Sequence, residues 1–132
     1  MFLLDTNACI RILNGSSPAL VRRFRSHEPS EISLCSVVKA ELLFGARKSA
    51  RIAENLETLR LFFQPLPSLP FDDRAADHYG MIRTELEKLG TPIGANDLMI
   101  AAIARAHDAI LVTHNVREFS RVANLQLEDW EA

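Results

Sequence analysis

The sequence predicts an α/β fold, a three-layer α/β/α sandwich in which helices cover both faces of a mostly parallel central sheet. Short apolar runs of the kind found in buried parallel strands alternate along the chain with longer segments of helical periodicity. The chain has 132 residues, 48% of them hydrophobic and 24% charged. This size and composition predict a single domain over residues 1–132 and exclude a globally disordered chain.

The first half of the chain predicts two strands and four helices. Asn14-Gly15 is a helix stop, Pro18 suits the first turn of a helix, and Ser36 is a candidate N-cap. The predicted elements are a strand at 2–4, helices at 6–13 and 18–25, a strand at 31–35, and helices at 36–48 and 51–64.

The second half begins with a connector, because Pro65, Pro67 and Pro70 end a helix and favour extended backbone. A long polar helix at 72–89 then ends at Gly90. The remaining predicted elements are a buried helix at 96–107, a strand at 109–113 and an edge strand at 125–127.

Charge and cysteine content restrict the class of protein. The 15 Lys and Arg residues against 17 Asp and Glu residues give a net charge of −2, which excludes a strongly basic nucleic-acid coat. Two cysteines, Cys9 and Cys35, in apolar surroundings predict buried thiols in a reducing compartment. No apolar run approaches the ~18 residues of a membrane helix, and the N-terminus is not typical of a signal peptide. We therefore expect a cytoplasmic protein.

Two carboxylates lie where this architecture favours apolar residues. Asp5 ends the first strand, and ligands bind beyond the carboxyl ends of parallel strands; capping of the next helix is the alternative. Glu41 shares a helix face with Val37, Val38 and Phe44. An unpaired carboxylate buried there would cost several kcal/mol, on the order of charged-group transfer penalties. A cation would remove this cost, and an ion pair is the alternative.

Two further polar residues are predicted at the same edge of the sheet. Asp97 opens the most apolar helix, where capping is again the alternative, and Asn115 follows the strand at 109–113, where a turn is the alternative. Three clustered carboxylates repel one another unless a cation is present. All-oxygen ligation suits Mg²⁺ or Mn²⁺, and no Cys/His spacing supports zinc. The residues therefore predict a site for such a cation at Asp5, Glu41, Asp97 and Asn115.

Four segments carry a resemblance to a known family: FLLDTN, SVVKAELLFGA, HYGMIRTELEKLGTPIGANDLMIAAIA and LVTHNVREFSRV. In order and spacing the chain resembles the PIN-domain family, specifically the VapC-type toxin ribonucleases of bacterial toxin–antitoxin pairs. The resemblance implies a PIN-like fold, metal ligands at Asp5, Glu41 and Asp97, and the fourth site residue at Asn115. Asparagine brings no charge, so a second metal would bind more weakly. The implied pocket-lining residues are Thr6, Asn7, Ser36 and Thr113.

The resemblance implies Mg²⁺- or Mn²⁺-dependent hydrolysis of RNA phosphodiester bonds, with structured RNA such as transfer RNA as the favoured substrate. It also implies a homodimer and a VapB-type antitoxin that blocks the site. In this mechanism Asp5 and Asp97 hold the metal, Glu41 ligates it or orients water, and Asn115 contacts a water or a phosphate oxygen. The basic residues near Glu41 are predicted to meet RNA or an acidic antitoxin tail, with a solvated helix face as the alternative: Lys39, Arg47, Lys48 and Arg51.

Three other classes compete with this prediction. The runner-up is an inactive PIN-type interaction module that keeps the carboxylates only for structure or antitoxin binding. A metal-dependent DNA nuclease is also an open alternative, because a carboxylate cluster does not distinguish the ribose of RNA from the deoxyribose of DNA. A phosphoryl-accepting receiver domain is disfavoured, because no lysine follows the late strand. Catalysis by a histidine or a cysteine is also disfavoured, since nothing in the sequence marks a lowered thiol pKa.

Overall fold

The computed structural model describes residues 1–132 and contains one five-stranded, all-parallel sheet with strand order β3-β2-β1-β4-β5. The strands are β1 (Phe2–Leu4), β2 (Ile32–Cys35), β3 (Ser68–Leu69), β4 (Ile110–Val112) and β5 (Leu127–Glu128). The helices are α1 (Thr6–Asn14), α2 (Pro18–Arg25), α3 (Ser36–Lys48), α4 (Ile52–Phe63), α5 (Asp73–Leu89), α6 (Ala95–Ala106) and α7 (Val116–Phe119). The predicted α/β class with a parallel sheet is confirmed.

The direction of chain travel assigns the helices to the two faces of the sheet. From β1 the chain moves outward to β2 and β3 through α1–α4, and it then crosses back to β4 and β5 on the other side of β1. Because such crossovers are right-handed, α1–α4 cover one face, whereas α5–α7 lie on the other. The order reverses between β1 and β4, and a parallel sheet binds its ligands at such a switch point.

The interior is one apolar cluster that contains the strands and most of α6. Leu3, Leu4 and Leu111 on the central strands are fully inaccessible to solvent, as are five consecutive residues of α6 from Ile100 to Ala104. This burial explains why α6 is apolar on every side. At the C-terminus, Trp130 is 2% exposed and anchors the last residues against the domain. No helix combines the length and the apolar character needed to cross a membrane.

Four local predictions were wrong. Ser36 is the first residue of α3, and Cys35 is the N-cap without a side-chain hydrogen bond. The proline segment is not only a connector, because Ser68–Leu69 pairs with β2 as an edge strand. The strand predicted at 31–35 begins one residue later, after a 3-10 turn at Pro29–Glu31, and the last strand lies at Leu127–Glu128.

Candidate active site

Asp5 lies at the carboxyl end of β1, at the switch point, and only 6% of it is exposed. Its Oδ1 accepts a hydrogen bond from the Ala8 backbone N–H at 2.8 Å, so the capping alternative is confirmed for this oxygen. Burial raises the pKa of Asp5, although hydrogen bonds from Thr113 and Ala8 offset part of that shift. The side chain therefore caps α1 and also faces Thr113 at the end of β4.

Glu41 approaches this edge from α3 and is held by a residue of α1. Thr6 Oγ1 donates a hydrogen bond to Glu41 Oε1 at 2.7 Å, across 35 residues of sequence. No Lys or Arg pairs with Glu41, so the ion-pair alternative is wrong. Of the expected apolar neighbours, Val38 is buried but Phe44 is 66% exposed, and Glu41 therefore lies at the edge of the apolar stripe.

Asp97 is the third residue of α6, and Gly94 is the N-cap of that helix. The structure records no hydrogen bond from a helix N–H to the Asp97 side chain, so the capping alternative is not realised. Burial, followed by the negative charges of Glu118, Glu41 and Asp5, raises the pKa of Asp97 to about 6. Carboxylates that are distant in sequence thus interact electrostatically at one edge of the sheet.

Glu118 is a fourth carboxylate that the sequence analysis missed. Its Oε1 accepts a hydrogen bond from the Gly94 backbone N–H at 3.1 Å, and its Oε2 accepts one from Asn115 Nδ2 at 2.7 Å. Burial raises the pKa of Glu118, but the hydrogen bonds from Asn115, Gly94 and Asp97 outweigh it and lower the pKa overall. The sequence marks Glu118 only by its place three residues after Asn115, because the one-turn helix α7 is too short to show a periodicity.

Asn115 makes two hydrogen bonds within this edge of the sheet. Its Nδ2 donates to Glu118 Oε2 at 2.7 Å, and the predicted contact of its amide with a water or a phosphate oxygen stays a prediction. Its backbone N–H donates to Thr113 Oγ1 at 2.9 Å. Asn115 positions Glu118, and this carboxylate restores the negative charge that asparagine lacks.

The four carboxylates form an all-oxygen donor set, which fits a hard divalent cation. The carboxylate oxygens of Asp5, Glu41 and Asp97 are too far apart for all three to bind one ion directly. No choice of one oxygen from each residue places all three within 4.8 Å of one another. Separate hydrogen bonds and mutual repulsion hold these groups apart. Mg²⁺ keeps several of its waters in protein sites, so water-bridged ligation fits this spacing.

The predicted pocket residues divide into two pairs. Thr6 and Thr113 contact the carboxylates Glu41 and Asp5. Asn7 and Ser36 are exposed and make no recorded side-chain hydrogen bond to the site.

The predicted basic contact residues lie on α3 and just before α4. Lys39 and Lys48 are near the rings of Phe63 and Phe44, at 5.1 and 5.5 Å, and Arg51 is 3.5 Å from Glu54. Arg47 is exposed and has no carboxylate partner. Their cationic groups are thus free or weakly paired, which leaves them available to a polyanion.

The thiols and histidines play no visible part in the carboxylate cluster. Cys9 and Cys35 are free and buried, as predicted, and burial raises the pKa of both thiols. Three histidines have acidic partners that the sequence analysis did not identify. His27 lies 3.6 Å from Glu31, His107 lies 3.7 Å from Asp72, and His114 lies 3.0 Å from Asp129.

A parallel sheet with four carboxylates at its switch point is the arrangement of a PIN domain, and the sequence profile of that family matches residues 2–125. The chain belongs to the PIN-domain family, and within it to the VapC group. It is 42% identical over 129 residues to a protein named tRNA(fMet)-specific endonuclease VapC from Shigella flexneri, covering 98% of this chain and 97% of that protein.

Two solved structures are similar over nearly their full length. A DNA-bound VapBC complex from Salmonella typhimurium matches with a TM-score of 0.92 and 38% identity, over 98% of this chain and 97% of that chain. VapBC2 from Rickettsia felis, bound to a DNA fragment from its promoter, matches with a TM-score of 0.91 and 37% identity, over 98% of each chain.

Proposed function

We propose that this protein is the toxin of a type II toxin–antitoxin pair, a metal-dependent endoribonuclease over a single domain of residues 1–132. The observation that carries the proposal is the convergence of Asp5, Glu41, Asp97 and Glu118. Burial, and after it the charges of the other three carboxylates, raise the pKa of Asp97 to about 6. This repulsion destabilises the metal-free fold, and a bound divalent cation would offset it. The VapC names of the relatives support RNA as the substrate and favour transfer RNA.

The cation we propose is Mg²⁺ or Mn²⁺, held by Asp5, Asp97 and Glu41 with Glu118 beside them. When bound, it would neutralise charge on the phosphodiester and lower the pKa of a nearby water. Asp5 is fixed for this task by the Ala8 N–H, and Asp97 is fixed by its position on the buried helix α6.

Glu41 is the group placed to orient the attacking water. Thr6 occupies its Oε1, which leaves Oε2 without a protein partner. Oε2 can therefore accept a hydrogen bond from the water that attacks the phosphodiester. Asn115 acts through Glu118 as a positioning residue. No protein nucleophile is required, which agrees with the buried, protonated thiols.

The decisive experiment compares wild-type protein with Asp97→Asn, each purified without antitoxin, on a pool of transfer RNA. Wild type should cleave with Mg²⁺ or Mn²⁺ and stop with chelator. The variant should be at least about 100-fold slower, because one metal ligand loses its charge. Cleavage by Asp97→Asn near the wild-type rate would show the assignment to be wrong. Metal binding without any RNA cleavage by the wild type would favour the inactive interaction module.

We further propose that a VapB-type antitoxin blocks this site, because a groove borders Glu41. The groove encloses about 430 Å³ between α1, α3 and α4, and its apolar wall includes Ile10, Leu13, Leu42 and Leu59. Solved relatives are VapBC complexes. Lys39, Arg47, Lys48 and Arg51 would contact RNA or an acidic antitoxin segment. The homodimer is proposed on the family resemblance and is measured by light scattering.

The proposed location is the cytoplasm. Both thiols are free, and their burial suits a compartment that keeps cysteines reduced.

A further inference from the structure

A second cluster of ligand-type side chains lies outside the four-carboxylate site. His114 follows β4, whereas Asp129 and Glu131 follow β5. One ligand atom from each residue can be chosen so that all three lie within 4.8 Å of one another. His114 Nδ1 is 3.0 Å from Asp129 Oδ2 and 4.0 Å from Glu131 Oε2. A histidine and two carboxylates 15 or more residues away thus converge on one point.

We propose that His114, Asp129 and Glu131 form a second metal site, which takes a divalent transition-metal ion such as Zn²⁺ and shares no ligand with the carboxylate cluster. The two sites are neighbours, because the charges of Glu131 and Arg11 act on the Asp5 carboxyl. The donor set of one imidazole nitrogen and two carboxylate oxygens distinguishes the second site. Imidazole favours Zn²⁺ and its neighbours in the transition series, whereas Mg²⁺ prefers oxygen alone. Zinc sites with three protein ligands keep a further position for water.

Hydrogen bonds around the two carboxylates determine which of their oxygens faces His114. Asp129 Oδ1 accepts the Glu131 backbone N–H at 3.0 Å, which leaves Oδ2 facing His114. Arg11 binds Glu131 Oε1, which leaves Oε2 on the His114 side. In each carboxylate, one oxygen is held by a hydrogen bond that orients the group, and the other oxygen is free to bind a metal ion. Such orienting bonds around the ligands are typical of metal sites.

The backbone that carries the two acids is also fixed. Trp130 lies between them in sequence and is 2% exposed; its ring stacks on His27 at 5.1 Å and meets Phe2 edge-on at 5.1 Å. The side chains of Asp129 and Glu131 are only 20% and 11% exposed, whereas His114 is 56% exposed. Two shielded carboxylates thus face an accessible imidazole, which gives an ion a route of entry.

The distances need only a small adjustment to close around an ion. Tetrahedral zinc with bonds near 2.0–2.1 Å separates its ligands by about 3.3–3.5 Å. The observed 3.0 and 4.0 Å lie on either side of that value. In the tautomer that carries its proton on Nδ1, His114 donates to Asp129, and the ion would displace this proton to solvent. The bound ion would link the end of β4 to the C-terminal residues.

The test is a competition titration of metal-free protein with Zn²⁺ and a chromophoric chelator, in excess Mg²⁺ so that the carboxylate cluster is occupied. Wild type should bind one Zn²⁺ per chain. His114→Gln and Asp129→Asn should each weaken this binding at least about ten-fold. Asparagine keeps the Oδ1 acceptor for Glu131, and His114 is outside the core, so both variants should fold. Circular dichroism checks that they do.

Two controls separate this site from the others. His78→Gln removes a histidine of α5 that accepts a hydrogen bond from Arg105, and it should leave zinc affinity unchanged. Asp97→Asn, which is expected to slow cleavage, should also leave zinc affinity unchanged. The proposal is overturned if wild type binds no Zn²⁺ under Mg²⁺, or if the His114 and Asp129 variants bind it as wild type does. A zinc-induced NMR shift of the His114 ring in wild type tests the site without any variant.

Discussion

At the scale of single residues, the carboxyl group of Asp97 makes the folding free energy depend on pH. Its pKa in the folded protein is about 6, raised by burial and then by neighbouring carboxylates from 3.8. The folded state therefore binds this proton more tightly than the unfolded state does. The resulting stabilisation is present below the unfolded pKa and is lost as the pH rises through the folded pKa.

We predict that Asp97→Asn stabilises the metal-free protein at neutral and alkaline pH. Since this side chain is partly exposed, solvent screening reduces the effect to about 1 kcal/mol. Urea unfolding with chelator, at about pH 5 and about pH 8, measures the difference, which should grow with pH. Asp77→Asn on the exposed face of α5 is the matched control and should show no such growth. An Asp97→Asn gain that is equal at both pH values would contradict the prediction.

Glu118 permits a second prediction about the same cluster. Glu118→Gln removes a negative charge beside Asp97 but keeps an oxygen that can accept from Gly94 or Asn115. We expect the affinity for Mn²⁺ to fall about ten-fold, since groups that surround metal ligands have effects of that size. Calorimetric titration measures it, with the exposed Glu85→Gln on α5 as the control. Unchanged Mn²⁺ affinity would place Glu118 outside the metal site.

Residue-level reasoning from the sequence predicted three of the four carboxylates. Each of these three, Asp5, Glu41 and Asp97, lies at a strand end, at a helix start or on a helix face where the fold favours an apolar residue. Glu118 gave no such signal, because a one-turn helix has no periodicity that could mark its buried face. Only the fold shows that Gly94 and Asn115 direct it toward Asp97.

At the scale of elements, α5 offers a test of helix termination. Gly90 ends this helix at φ 70°, in the left-handed region that favours glycine, whereas Gly80 lies inside the helix. A Cβ at either position would meet no atom within 4 Å, so packing contributes nothing to the difference. We predict that Gly90→Ala lowers the free energy of unfolding by about 1–2 kcal/mol. Gly80→Ala should raise it by about 0.5–1 kcal/mol. Urea denaturation measures both, and changes of equal sign would contradict the account.

Helices whose ends are marked by proline or glycine were predicted closely, whereas a short strand without such a residue was missed. Pro18, Gly15 and Gly90 mark helix ends in the sequence, and the structure places the corresponding ends within a residue of the prediction. The strand Ser68–Leu69 has only two residues, and its extended form is stabilised by pairing with β2. That partner is supplied by the tertiary fold, so no local pattern could indicate it.

At the scale of the whole molecule, a net charge of −2 must be reconciled with a polyanionic substrate. The carboxylates that hold the proposed metal account for part of the negative charge, and α3 offers cations close to Glu41. If Lys39, Arg47, Lys48 and Arg51 contact phosphates, their counterions are released on binding. Overall charge then matters less than the few cations beside the site.

The salt dependence of RNA binding tests this distribution of charge. Four phosphate contacts predict a slope of log K against log salt near −2.8, from about −0.7 for each contact with a single strand. Binding of transfer RNA to the Asp97→Asn variant can be followed by fluorescence anisotropy without cleavage. Replacing Arg47 and Lys48 together by glutamine should reduce the slope by about 1.4. Replacing Arg22 and Arg25 on α2, which is remote from Glu41 in sequence, should leave it unchanged. A flat salt dependence in the parent protein would exclude all four cations from RNA binding.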